Sequence, residues 1–260
     1  SPELPLVLAS NLDNKSDITF DKFNFTNLRG TMDELFKGTK NIDFINFARD
    51  DDGMSRRVPS FFIYKERYYP YISMKLIQEY FLKHKIIESK KFVINQNRQV
   101  VMGDKTVQLD EEGFMILNWF ANKDIYEIPF WEVIEGKFDK GYFKGKIVCI
   151  GASANSLGDI KSTPLKQYYP GVKITATYLN NIFNQTSIKK IDFKKNVLIT
   201  FSAILVLIAL LIWLNSNWIS TLVTVSFALG YFILTTVAMG KNYIWMDCAY
   251  PLFLIFFTFT

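Results

Sequence analysis

Residues 196–214 read NVLITFSAILVLIALLIWL, a run of 19 positions without a charged side chain. Folded as an α-helix, such a run is about 29 Å long, which matches the roughly 30 Å hydrocarbon core of a membrane. The stretch therefore predicts a membrane-spanning helix. It also excludes a purely soluble protein, because the surface of a globular domain carries far more charge.

The chain downstream of this helix keeps the same composition, since only Lys241 and Asp247 carry a charge after Lys195. Short polar turns divide it into further apolar runs. The sequence thus predicts three transmembrane helices, over about 196–214, 218–239 and 244–260. Because the third run is cut at the chain end without a polar terminus, and the chain begins without an initiator Met, we expect an internal piece of a longer protein.

Small side chains recur every four positions on the second predicted span, at Ser220, Thr224 and Ala228. Such a stripe lets two helices approach closely in a membrane. It could pack against the other two spans or against a second copy of the chain. Three linked spans must pack together in any case, which favours the first interpretation.

Residues 1–195 suit a single domain and carry the whole net charge of +5. This charge is spread over 29 basic and 24 acidic residues, which does not make a nucleic-acid-binding stripe. The apolar run Lys146–Gly151 (KIVCIG) predicts a central strand covered on both faces. Apolar spacing predicts helices over 71–85, 129–136 and 172–184, and strands at 5–10, 42–47, 60–64, 91–95, 99–102, 106–109 and 114–120. This interleaving predicts an α/β domain with a mixed, largely parallel central sheet and flanking helices, followed by an all-α segment of three membrane helices.

A loop of small residues follows the predicted central strand, at the end where α/β proteins bind ligands. It lacks the Lys-Ser/Thr ending of a phosphate loop, so a nucleotide site is not expected. A tight turn in which Asp159 caps the backbone is the favoured interpretation, and a ligand site is the alternative. The candidate ligand residues are Gly151, Ala152, Ser153, Asn155 and Asp159, together with Arg56 as a cation for an anionic ligand.

Three consecutive acids, Asp50–Asp52, form a turn before Arg56 and Arg57. Oxygen ligands on a turn suit calcium, which makes Asp50 and Asp52 weak candidates for a metal site. A solvated turn that pairs with Arg56 or Arg57 is the favoured interpretation. Strand alternation is expected to send the two arginine side chains to opposite faces.

Several motifs in this order resemble the second CHASE sensor family, whose name abbreviates cyclase/histidine-kinase-associated sensory extracellular. The matching segments are Asp50–Pro59 (DDDGMSRRVP), Asp110–Ile116 (DEEGFMI), Phe130–Gly136 (FWEVIEG), Phe143–Ser153 (FKGKIVCIGAS), Gly158-Asp159, Thr163-Pro164 and Pro170–Val172 (PGV). Three spans after the sensor also agree with the layout of that family. Thr175 stands where the family commonly has His, so a role for that His is not transferred.

The resemblance implies a multi-pass protein of the cytoplasmic membrane with residues 1–195 outside the cell. It implies that three spans relay an extracytoplasmic signal to a cytoplasmic output domain, an adenylate or guanylate cyclase, a histidine kinase or a Ser/Thr kinase. The implied partners are the lipid bilayer, an unidentified small molecule or condition, and a second copy of the receptor. The lysine cluster at Lys189–Lys195 points the other way, because positive charge favours the cytoplasmic side, although long lysine side chains also reach headgroups on either face.

We therefore expect a non-catalytic sensor without a cofactor, in which the last helix passes a shift to the first span. The relay residues on its apolar side are Tyr178, Ile182 and Phe183. The alternatives are a membrane-anchored extracytoplasmic hydrolase and a small multi-pass membrane protein without a signalling role. His84 is the only histidine, so no metal cluster or catalytic triad is identified around it.

Overall fold

The computed structural model describes residues 24–25, 49–64, 67–88, 92–95, 97–120, 125–154, 159–214 and 216–257. The strands predicted at 5–10 and 42–47 lie outside these residues. The chain divides into two compact units, residues 1–187 and 188–260. The division falls a few residues before the boundary expected from the sequence, because the first membrane helix and the strand that precedes it belong to the second unit.

In its described residues, the first unit combines short strands with two long helices and one short helix. Its strands are β1 Asn24–Phe25, β2 Arg57–Pro59, β3 Phe61–Tyr64, β4 Arg67–Pro70, β5 Val93–Ile94, β6 Gln99–Met102, β7 Lys105–Gln108, β8 Phe114–Ile116, β9 Ile160–Lys161 and β10 Tyr169–Pro170. Its helices are α1 Ile72–Lys83, α2 Phe130–Ile134 and α3 Gly171–Phe183. Each of the predicted helices is present, within a few residues of its predicted bounds.

The strands pair in several small sheets rather than in one large sheet. β1 and β3 pair parallel, whereas β3–β4, β2–β8, β5–β6, β6–β7 and β9–β10 pair antiparallel. In the β2–β8 pair, Val58 lies opposite Met115, and both side chains are buried. Among the described strands of this unit, the predicted largely parallel central sheet is therefore not confirmed.

The run Lys146–Gly151 is not the doubly covered strand that its composition predicts. It pairs with no strand among the described residues. Ile147 and Cys149 pack partly buried against the core, while Val148 and Ile150 are 50% and 77% exposed. The run is extended with one face on the core, so its apolar composition overstated its burial.

The core of this unit lies between α1, α3 and the strands. Met74, Ile77 and Phe81 of α1 are buried because their spacing of three and four residues places them on one helix face. Ile174 and Ile182 of α3 follow the same spacing and are also buried. Each such side chain contributes about 1.5–3 kcal/mol on burial, so the contact between α1 and α3 is a main source of stability.

The second unit contains α4 Phe193–Trp213, α5 Asn217–Asn242 and α6 Ala249–Phe257. α4 and α5 are long and apolar enough to cross a membrane. α4 begins three residues earlier than predicted, and α5 ends before Tyr243, whose φ of +55° is left-handed.

Of the three predicted spans, the third differs most between the sequence-based prediction and the structure. Ile244–Trp245 forms a strand, β12, that pairs parallel with β11, Lys189–Lys190, so the predicted helix start at residue 244 is wrong. α6 begins at Ala249 and is described over 9 residues, which leaves the count of three spans unconfirmed.

The three helices of this unit share a small apolar core, formed by Leu207, Ala228, Tyr231 and Ile255. Thr224 is 2% exposed and Ala228 is 5% exposed, whereas Ser220 is half-buried. Two of the three residues of the predicted small-residue stripe, Thr224 and Ala228, are thus buried within this unit.

Candidate functional site

Two glycines let separate parts of the chain meet at the start of α3. A Cβ added to Gly151 would lie 2.6 Å from the Cβ of Val172, and a Cβ added to Gly171 would overlap the carboxylate of Asp159. The Gly171 N–H donates to the backbone oxygen of Asp159 at 2.9 Å. The chain at residue 151 and the chain at residue 159, just before β9, therefore pack directly on the first turn of the helix.

Of the six residues predicted to bind a ligand, Gly151 and Asp159 contact the start of α3, and Ala152 and Ser153 follow Gly151 in the chain, whereas Arg56 belongs to a separate turn. Gly151 and Ser153 are exposed, and Ala152 and Asp159 are half-buried. Asn155 lies outside the described residues. Asp159 places its negative charge beside the helix start, where it interacts favourably with the helix dipole, and the Lys161 ammonium lies 3.6 Å from its carboxylate. A carboxylate thus occupies the place where an anion at this helix end would bind.

A buried polar group lies beneath the junction. The hydroxyls of Tyr71 and Thr175 are 3.3 Å apart, and Tyr71 is fully buried. Burial raises the pKa of Tyr71, and the charges of Asp159 and Cys149 add to this effect although the hydrogen bond with Thr175 opposes it. Tyr71 is therefore a neutral hydroxyl that can donate or accept a hydrogen bond.

A second hydroxyl pair extends this group along α3. The hydroxyls of Ser60 and Tyr178 are 2.7 Å apart in the core, and the Tyr71 N–H donates to the Ser60 backbone oxygen at 2.9 Å. The rings of Tyr71 and Tyr178 lie 5.5 Å apart. Sequence reasoning missed Ser60 and Tyr71, because the partners are more than 100 positions apart and no local pattern connects them.

The three predicted relay residues all lie on the buried side of α3. Tyr178 and Ile182 are 0% and 1% exposed. The Phe183 ring packs edge-on against Tyr80 and Phe81, with centroids 5.3 Å and 5.8 Å apart. These residues hold α3 to α1, so a movement of α3 requires repacking of this interface.

Side-chain amides fix the last turn of α3, which the sequence did not indicate. The Asn118 N–H donates to Asn181 Oδ1 at 2.6 Å, and Asn181 Nδ2 donates to the Asn118 backbone oxygen at 3.1 Å. The N–H and hydroxyl of Thr106 both donate to Gln185 Oε1, at 3.2 Å and 3.3 Å. The C-terminal end of the helix is thereby attached to β7 and to the segment after β8.

Arg56 is held by two of the three acids of its turn. Its guanidinium donates to Asp50 at 3.0 Å and to Asp52 at 2.6 Å and 2.9 Å. The hydrogen bonds from Arg56 and from the Met54 N–H lower the pKa of Asp52 to about 2. The Arg56 donors that were expected to meet an anionic ligand are therefore engaged with these carboxylates.

Arg57 is the centre of a second set of ion pairs. It contacts Asp50 Oδ1 at 2.9 Å, Asp110 Oδ2 at 2.9 Å and Glu112 Oε2 at 2.7 Å. The prediction that Arg56 and Arg57 point apart is wrong, because Asp50 lies on a turn within reach of both long side chains. These pairs join the turn at residue 50 to the turn at residues 110–112.

The carboxylates proposed for a metal are thus bound by guanidinium groups. Within the described ranges, no group of three or more His, Cys, Asp or Glu side chains is arranged to hold a metal ion. The turn is built as a structural ion-pair cluster, which agrees with the favoured interpretation of the sequence.

A cleft of about 320 Å³ lies at the other end of α1. Its walls are mostly apolar, with Ile86, Ile87, Phe92 and Met102 among the lining residues, and Gln78 and Glu88 supply polar groups. None of the predicted ligand residues lines this cleft. The start of α3, where Gly151 and Asp159 pack on the helix that carries Thr175, remains the candidate site.

The comparisons with known proteins agree with the resemblance seen in the motifs. A family model described as CHASE2 domain matches residues 7–215. No curated protein and no solved structure matches the chain. The matched range includes the whole candidate site and all of α4.

Proposed function

Because the chain belongs to the CHASE2 family, we propose that it is the sensory and signal-relay part of a bacterial transmembrane receptor. The CHASE2 domain is an extracytoplasmic sensory domain found in receptors with cyclase or kinase outputs. In this proposal the first unit lies outside the cytoplasmic membrane and the helices of the second unit cross it. The signal is an extracytoplasmic small molecule or condition.

The position of α3 is the observation that carries the proposal. Its first residue, Gly171, contacts Asp159 at the candidate site, and its last residue, Phe183, is followed after residues 184–192 by the start of α4. In the chain, α3 and the nine residues after it therefore connect the candidate site with the first span. A ligand that binds differently to two positions of α3 shifts their populations by its difference in affinity, and by no more than that.

The pairing of β11 with β12 gives the relay a second route. The Lys189 N–H donates to the Tyr243 backbone oxygen at 2.7 Å, and the Ile191 N–H donates to the Trp245 backbone oxygen at 3.0 Å. We call this pairing the β11–β12 clamp. It ties the segment before α4 to the segment between α5 and α6, so a displacement of residues 184–188 acts on more than one helix of the membrane unit.

The chain itself is proposed to be non-catalytic. The acids of the two turns at residues 50–52 and 110–112 that contact Arg56 or Arg57 are Asp50, Asp52, Asp110 and Glu112. A pair of facing acids in a hydrolase needs carboxyls free to exchange protons with a substrate. Catalysis belongs to the output domain, a nucleotide cyclase or a protein kinase, in a receptor that works as a homodimer.

Proline substitution in β11 tests the relay. Lys189→Pro removes an N–H that the clamp uses, whereas the Lys190 N–H is not among the clamp bonds described above, so Lys190→Pro is the matched control. Output is measured on the full-length receptor in membranes, as cyclic nucleotide formed or as phosphate transferred from ATP. We expect the Lys189→Pro output to differ several-fold from that of the parent and of Lys190→Pro. Equal output from all three would contradict the relay through the clamp.

A further inference from the structure

The two ends of the membrane unit differ in charge. Exposed lysines gather at the end that holds the start of α4, the end of α5 and the β11–β12 clamp: Lys189, Lys190, Lys194, Lys195 and Lys241. Asp192 and Asp247 are the acids at this end. The described residues of the opposite end, 213–214 and 216–218, carry no charge, and Trp213 and Trp218 are 81% and 87% exposed.

Among the described residues, most lysines at this end form no ion pair. Lys190 lies 4.0 Å from the Asp247 carboxylate, and in the described part of the chain Lys189, Lys194, Lys195 and Lys241 form no ion pair within 4 Å. Four exposed ammonium groups of the unit therefore have no carboxylate within 4 Å in the described part of the chain.

Helix stability does not account for two of these lysines. Lys194 and Lys195 lie in the first turn of α4, which contains no acidic residue. The positive end of the helix dipole disfavours cations at this place. Their location therefore costs helix stability, and an anion outside the protein would offset that cost.

Membrane orientation does not account for them either. An extracytoplasmic CHASE2 domain places the start of α4 at the outer face. The positive-inside rule favours lysines at the cytoplasmic face. The cluster opposes the usual topology signal and needs another role.

We propose that these five lysines, together with Trp245, form a surface that binds the phosphate of anionic phospholipid headgroups. Trp245 is 36% exposed and lies 5.4 Å below the Lys190 ammonium, as expected for an indole at the level of the headgroups. The bound lipids hold the β11–β12 clamp against the membrane surface. This inference rests on the membrane location proposed above and goes beyond the sensory function.

The test measures lipid selectivity of the chain in phosphatidylcholine vesicles. Spin-labelled phosphatidylglycerol and spin-labelled phosphatidylcholine are compared by electron paramagnetic resonance for association with the protein. The test variant carries Lys→Gln at 189, 190, 194 and 195. The control carries Lys→Gln at 137, 140, 144 and 146, which makes the same charge change on exposed lysines of the first unit.

We expect phosphatidylglycerol to be preferred about fivefold or more by the parent and the control, and the preference to fall toward one in the test variant. In the parent the preference should also fall toward one near 1 M salt, where screening acts within about 3 Å. A preference near one in the parent, or one unchanged in the test variant, overturns the proposal. So does displacement of the lipid by inorganic phosphate at constant ionic strength, because the site would then bind free phosphate.

Flotation with the vesicles establishes that each variant is inserted before its selectivity is measured. The experiment measures lipid association and no signalling output. A negative result therefore contradicts the lipid-binding proposal but not the proposed receptor function. Conversely, loss of output in the experiment on Lys189→Pro says nothing about lipid preference. A preference of the parent that persists near 1 M salt overturns the proposal even where the test variant does not insert.

Discussion

Gly171 shows at the scale of one residue why the junction at α3 has its composition. Its N–H is bonded to the backbone of Asp159, and the carboxylate of the same residue fills the space where a Cβ would lie. The φ of Gly171 is not positive, so the requirement for glycine at this position is one of space.

Substitution of Gly171 tests this close contact. Gly171→Ala should lower the free energy of unfolding of the first unit by about 1–3 kcal/mol, because the new methyl overlaps the Asp159 carboxylate. Asp159→Ala in the same chain makes room for the methyl, so the double variant should lose less than the sum of the two single losses. Urea denaturation gives the three values. If the loss of the double variant equals the sum of the two single losses, the contact between residue 171 and Asp159 does not account for the requirement for glycine.

Arg56 and Arg57 are neighbours in the chain, but their acidic partners differ in number and in exposure. Arg57 bonds to three acids, of which the Asp110 side chain is 10% exposed, whereas the Asp52 partner of Arg56 is 50% exposed. Arg57→Gln should cost about 1.5–3 kcal/mol, since hydrogen bonds to buried charges are lost. Arg56→Gln should cost about 1 kcal/mol or less, as for exposed ion pairs. Equal shifts of the urea midpoint in both variants would refute this ranking.

At the scale of elements, the parts that the sequence predicts are those with a repeating apolar pattern. α1 and α3 follow from Met74, Ile77 and Phe81 and from Ile174, Tyr178 and Ile182, whose spacing matches the helical turn. α4 and α5 follow from hydropathy alone. In each case the pattern that predicts the helix lies within the helix's own sequence, so the prediction does not depend on knowing which element packs against it.

The missed elements depend on partners that are distant in the chain. β11 consists of two lysines, and its partner β12 lies more than 50 positions away, so neither segment has the alternating pattern of a strand. Lys146–Gly151 has an apolar composition that suits a central strand, but composition does not reveal that Val148 and Ile150 stay exposed. At the candidate site, the glycine loop was predicted while Ser60 and Tyr71 were not, for the same reason.

The attachment of α3 to the core is testable through its buried hydroxyl. Tyr178→Phe removes one partner of the 2.7 Å hydrogen bond with Ser60 and leaves the Ser60 hydroxyl buried and unpaired. We expect a loss of about 1–3 kcal/mol. Ser60→Ala together with Tyr178→Phe removes both polar groups and should recover part of that loss. A double variant that is no more stable than Tyr178→Phe would argue against this bond as an anchor of α3.

At the scale of the whole molecule, the proposed topology predicts which parts face which compartment. Ser153 lies in the exposed loop of the first unit, and Ser216 lies in the turn between α4 and α5. With the native cysteines replaced by serine, Ser153→Cys should react with a membrane-impermeant maleimide on intact cells. Ser216→Cys should react only after permeabilisation, because one span separates the two positions. The reverse pattern would place the sensor in the cytoplasm and contradict the extracytoplasmic assignment.

The central claim is that a change in α3 reaches the β11–β12 clamp, and hydrogen–deuterium exchange of the Lys189 and Ile191 amides tests it most directly. Asn181→Ala releases the last turn of α3 from Asn118, whereas Asn95→Ala breaks a turn around Asn97 and Gln99 that does not involve α3. In the reconstituted chain we predict that both clamp amides exchange several-fold faster in Asn181→Ala and at the parent rate in Asn95→Ala. Unchanged exchange in Asn181→Ala, or the same increase in both variants, would contradict the relay.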